Sequence, residues 1–188
     1  SFVLIYMCYN CVEVIFMGNT VKGVKDRLKE LISEGNLLLY SLGYKCQGMT
    51  SKKQLEANLK KNNIKINDLP DFYTKYESWY SEAIIAIKMF LPDRLSDFVQ
   101  LYKNDKRKQI DFQTYTIADA IIGLEVTRGY AKPVTASAAI PKFQQQISIL
   151  KGAEKVVESV INSLQFDIRA DLFDSELDAA QELIKAGF

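Results

Sequence analysis

Between Asn19 and Gly43 the apolar residues Val21, Val24, Leu28, Leu31, Ile32, Leu38, Leu39 and Leu42 recur mostly three and four positions apart. Lys22, Lys25, Asp26, Arg27 and Glu30 fall mostly on the other side, the mark of an amphipathic helix. Asn19 suits the N-cap and Gly43 the residue just past the end. Gly35-Asn36 predicts a bend or an early stop inside this helix. After a loop over residues 43–51, a short polar helix is expected over 52–61, closed by a turn at Asn62-Asn63.

The second strong pattern opens at Asp68-Leu69-Pro70, where proline is tolerated because the first turn needs no N–H, and runs to about Phe90. Its stripe is Phe72, Tyr76, Trp79, Tyr80, Ala83, Ile87 and Phe90, and residues 83–91 are apolar almost all round, which predicts a helix surrounded by others. Some twenty residues make a rod of roughly 30 Å, the central helix of a bundle. Pro92 breaks it, and residues 93–103 form a further helix with Leu95, Phe98, Val99 and Tyr102 inward. A short helix is expected over 114–125 and a loop over 127–136. Pro141 opens the last long helix, where Phe143, Ile147, Leu150, Val157, Ile161 and Leu164 make a coiled-coil-like seam. Leu172-Phe173 then leads into a terminal helix capped at Asp174-Ser175-Glu176, with apolar residues still recurring through Leu183, Ile184 and Phe188. The chain is therefore expected to be the N-terminal portion of a longer protein. The fold class is all-α, an irregular multi-helix bundle over residues 17–188.

Residues 1–16 read differently. Phe2 to Met7 and Val12 to Phe16 are β-branched and aromatic runs interrupted by Asn10, which predicts a β-like or disordered segment. The segment lacks a basic leader and a small-residue cleavage site, and Asn10 and Glu13 interrupt it, so neither a signal peptide nor a membrane anchor is expected. Met17-Gly18-Asn19 resembles a natural start, so the segment is expected to be non-native.

Composition narrows the chemistry. With 24 basic and 23 acidic residues the formal charge is +1, so nucleic acid or an anionic membrane would have to be held by a local cluster. Three cysteines fit a reducing cytoplasm better than secretion. Cys8 and Cys11 have C-x-x-C spacing, but a chain with one further cysteine and no histidine offers no ordinary zinc set, and no metal or cofactor is expected. Ser41, Ser51 and Ser96 have no histidine base available, which excludes Ser-His chemistry while leaving Ser-Lys variants. None of the nine glycines builds a phosphate-binding loop. No catalytic residue is assigned. Asp93, Arg94 and Asp97 read as a helix cap with an i,i+3 ion pair, and Trp79 and Tyr80 as core anchors. Lys103, Lys106, Arg107 and Lys108, beside Tyr102 and Tyr115, are the candidate nucleic-acid contacts, set against the plainer reading of a solvated loop.

Several strings carry a resemblance. They are Trp79-Tyr80-Ser81-Glu82-Ala83, Leu91-Pro92-Asp93-Arg94-Leu95 with Asp97-Phe98, Tyr115-Thr116-Ile117-Ala118-Asp119, Val126-Thr127-Arg128-Gly129, Lys142-Phe143 with Ile149-Leu150-Lys151, and Ala170-Asp171-Leu172-Phe173-Asp174-Ser175-Glu176-Leu177. In order and spacing they resemble uncharacterised bacterial helical proteins with a HEPN-type C-terminal part. The resemblance implies a cytoplasmic helical platform for homodimerisation and partner binding. It also implies an R-x-x-x-x-H element further along the parent, linked to RNA cleavage or binding in phage defence or a toxin system. No residue here matches that arginine and histidine. The rival expectation is a self-contained, non-catalytic helical adaptor.

Overall fold

The computed structural model describes the backbone of residues 2–46, 49–127, 129 and 133–186, and side chains from residue 22 onward except at 49–51, 54 and 58. Six α-helices occur among these residues: α1 (Phe2–Cys46), α2 (Met49–Lys61), α3 (Phe72–Phe90), α4 (Leu95–Tyr102), α5 (Ile117–Ile121) and α6 (Ile140–Lys185). The described residues contain no strand, only an isolated antiparallel bridge between Val126 and Val134. The all-α class holds.

The expected β-like segment is helical. α1 runs unbroken from Phe2, and Asn19 lies inside it rather than capping it. The chain has no proline before Pro70, so nothing interrupts the i to i+4 ladder, and strand preference yields readily to context. The side chains of Cys8 and Cys11 lie outside the described residues. α6 is likewise one helix, with no break at Leu172-Phe173 and no new start at Asp174. Asp and Ser are tolerated inside a helix when they face solvent.

The chain divides into two compact units, one formed by Ser1–Lys25 with Lys155–Phe188 and the other by Asp26–Glu154. In the second unit the core is built on α3. Phe72, Tyr76, Trp79, Ala83 and Ile87 are buried on one stripe, joined by Leu28, Leu31, Leu38 and Leu42 of α1, Phe98 of α4, Ile117 and Ala120 of α5, and Phe143, Ile147 and Leu150 of α6. Asp71, rather than Asp68, caps α3 by accepting from the Thr74 N–H, and Pro70 precedes the helix. The expectation that residues 83–91 are enclosed all round is corrected. Ile85 and Met89 are 60% and 66% exposed, because they lie opposite the buried stripe, where nothing among the described residues covers them.

α1 does not stop at Gly35. A Cβ there would meet three atoms of the Trp79 indole at 3.0–3.1 Å. The missing side chain lets the ring lie on the helix backbone, where its Nε1–H donates to the Leu31 carbonyl at 2.7 Å. A second buried polar device sits beside it. Gln146, fully buried, accepts from the Tyr76 hydroxyl at 2.6 Å and donates to the Phe98 carbonyl at 2.9 Å, so no polar atom is stranded.

In the first unit, Lys25 of α1 pairs with Glu158 of α6 at 2.8 Å. Beyond Val157 the described part of α6 has no buried residue.

Candidate functional site

The loop between α4 and α5 carries the predicted basic cluster, and the structure treats its four members differently. Arg107 points inward. It donates through Nη2 to Asp119 at 2.7 Å, through Nη1 to the same carboxylate, and through Nη1 to the Thr114 carbonyl at 3.1 Å. Asp119 also accepts from the Thr116 N–H and hydroxyl, both at 2.8 Å, while Thr116 caps α5 in return. Burial alone would raise the Asp119 carboxyl pKa, but Arg107 and Thr116 together hold it below the ordinary carboxylate range. Arg107 thus fastens the loop to α5 with three of its five N–H groups. α5 is correspondingly shorter than expected, Ile117–Ile121, and stops where Gly123 adopts φ +71°.

Lys103 pairs with Asp105 at 3.3 Å on the surface. Lys106 and Lys108 are exposed, and their ammonium groups have no partner among the described residues. Next to this loop lies a cleft of about 270 Å³, lined on α4 by Asp97, Gln100 and Leu101 and on α6 by Lys142 and Gln145. Gln113 and Thr114 close it from a turn that Asp111 ties together by accepting from the Gln113 and Thr114 N–H groups at 2.9 Å. Lys142 donates to the Gln113 carbonyl at 2.6 Å. The side-chain amides of Gln100, Gln113 and Gln145 make no hydrogen bond among the described residues. Phe112, at the tip of the same turn, is exposed. The cleft is polar and offers planar donor-acceptor groups, with no nucleophile and base in contact.

The other candidates resolve as structural parts. Arg94 donates to Asp97 at 2.7 Å in the expected i,i+3 pair. Trp79 is buried, and Tyr80 stacks on Tyr102 at 4.4 Å between ring centroids. Burial, together with the hydrogen bond it donates to Glu77, pushes the Tyr102 hydroxyl pKa up to about 12. Ser41 is buried, Ser96 is exposed, and the side chain of Ser51 lies outside the described residues. Burial raises the Cys46 thiol pKa against a small opposing effect of Lys45, the reverse of an activated nucleophile. No group of three or more metal-ligating side chains occurs among the described residues, and no helix there is long and apolar enough to cross a membrane.

The second candidate is a surface. On α6, Val160, Leu164, Phe166, Leu172, Phe173, Leu177, Leu183 and Ile184 are all exposed. Of these, Phe166, Phe173, Leu177 and Ile184 share one face of the helix, and nothing described covers it. No family model, curated protein or solved structure matches the chain.

Proposed function

We propose that this chain is a helical association module, the dimerisation and partner-binding part of its protein, and that the second half of α6 is the surface it uses. The observation that carries this is the exposed apolar face that Phe166, Phe173, Leu177 and Ile184 form along one side of α6. Contiguous apolar surface of this kind marks an interaction site. In proteins most helical stability comes from packing an apolar face rather than from intrinsic propensity. A photo-cross-linking amino acid at position 173 of the full chain in cells yields a discrete adduct, and the same group at exposed position 96 yields none. No adduct at 173 contradicts the reading.

A second reading concerns RNA. It is favoured by the exposed ammonium groups of Lys106 and Lys108, without a partner among the described residues, next to a cleft with three unpaired amides. Arg107 spends three of its N–H groups on Asp119 and Thr114, so the lysines are the more available contacts. Replacing Lys103, Lys106 and Lys108 by alanine lowers the slope of log affinity against log salt for single strands by about 2, at roughly 0.7 per phosphate contact. Unchanged binding removes the idea. The HEPN setting, with ribonuclease action in phage defence or a toxin system, is supported by the resemblance of the quoted strings alone.

A further inference from the structure

The exposed row on α6 has a regular register. Phe166, Ala170, Phe173, Leu177, Ala180 and Ile184 are spaced alternately four and three apart, the core spacing of a coiled coil. This row lies largely opposite Ile161, Leu164 and Ile168, which continue the seam of the first half of the helix. Phe166, Phe173, Leu177 and Ile184 are 73%, 62%, 44% and 72% exposed, so nothing among the described residues covers the row.

The flanking charges say what fits it. Arg169 precedes the core position Ala170, and Asp174 follows the core position Phe173. On the helix itself Arg169 has Gln165, Phe166, Leu172 and Phe173 three and four residues away, so no acid stands at the spacing that forms an intrahelical pair. Asp174 has Ala170, Asp171, Leu177 and Asp178 at those positions and no cation. Both are exposed, and neither has a partner among the described residues. In a parallel, in-register coiled coil the residue before one core position faces the residue five further along on the other helix. Arg169 then meets Asp174 of a second copy, and the two-fold symmetry makes that pair twice. The other flanking residues meet without like charges: Asn162 faces Asp167, and Glu176 faces Gln181. An antiparallel pair using the same row brings two Asp174 side chains together.

We propose that residues 166–184 of α6 pair with the same segment of a second copy of this chain, parallel and in register, with Arg169 and Asp174 setting the orientation. The proposal rests on the association reading above and names its partner. The apolar row supplies the affinity, and the exposed ion pairs supply direction.

The test is a charge swap in the full chain, read by sedimentation equilibrium. Arg169→Asp alone and Asp174→Arg alone each weaken self-association about 2- to 30-fold, the range for losing two exposed pairs. The double variant Arg169→Asp/Asp174→Arg restores it. Ala170→Cys, in a background with Cys8, Cys11 and Cys46 replaced by serine, gives a disulfide-linked dimer on mild oxidation, since residue 170 faces its own copy only in the parallel register. Three results overturn the proposal: a monomer at all concentrations, a double variant no better than the singles, or no cross-link at 170. If Leu177→Asn abolishes association while Arg169→Asp leaves it unchanged, the register falls and the association reading stands. If neither variant changes it, both fall.

Discussion

Residues 140–157 and 158–185 belong to one helix and live in different surroundings. In the first stretch Phe143, Gln146, Ile147, Leu150 and Ala153 are buried, and even the buried amide has both its hydrogen bonds. In the second, residues of the same apolar kind stand in solvent, among seven carboxylates and two cations. The first stretch is helical because it packs, and the core holds it whatever its local preference. In the second, nothing among the described residues buries the row of Phe166, Phe173, Leu177 and Ile184, and a partner would bury it. Function is therefore sought in the second stretch, and stability in the first.

Breaking the packed side gives the largest effect. Trp79→Ala removes an indole held by the Leu31 carbonyl and packed on Tyr76, Phe98 and Phe143, and is expected to cost about 3–5 kcal/mol, read as a lower urea midpoint. Asp119→Ala leaves Arg107 half-buried without its carboxylate and is expected to cost about 3 kcal/mol, at the low end for a buried pair because Arg107 retains some solvent. The same residue sets a pH dependence. Its folded pKa is depressed, so the stability it contributes is complete above the unfolded carboxylate value of about 3.9 and is lost as pH falls through the lower folded value. In Asp119→Ala the acid limb of the stability curve should flatten, which urea titrations from neutral pH downward will show.

A smaller change sharpens the contrast from the backbone side. Gly35→Ala drives a Cβ into the Trp79 ring, an overpacking cost of about 1–3 kcal/mol against about 1 kcal/mol regained in helix propensity, for a net loss of up to about 2 kcal/mol. Thermal unfolding should show it as a lower midpoint. Leu177→Asn, on the exposed row, is expected to change the stability of the Asp26–Glu154 unit by no more than about 0.5 kcal/mol while removing association.

These residues also explain how much was legible beforehand. Four-and-three spacing revealed α3 and its buried stripe, and Pro92 located the corner before α4, because both signals are local. The β-like reading of residues 1–16 failed because side-chain preference was weighed without the helix that the segment extends. Gly35 was read as a bend or an early stop, and α1 runs on through it, because a glycine in a sequence does not show what lies against it, and the Trp79 ring comes from another helix. Arg107 was grouped with its lysine neighbours for the same reason, since Asp119 is distant in sequence and only the fold brings them together. Gln146 gave no signal at all: an amide on an apolar stripe looks like a flaw until its two partners are in view. The exposure of Phe166, Phe173 and Ile184 is equally invisible in a sequence, where an unoccupied row and a buried one read alike.

Hydrogen–deuterium exchange along α6, followed peptide by peptide on the full chain at dilution and again at high concentration, tests the central contrast most directly. The account predicts slow exchange over residues 140–154 at both concentrations, and fast exchange over 160–185 that slows only as copies associate. Uniform slow exchange along the whole helix at dilution would contradict it, since the second half would then be stabilised without a partner.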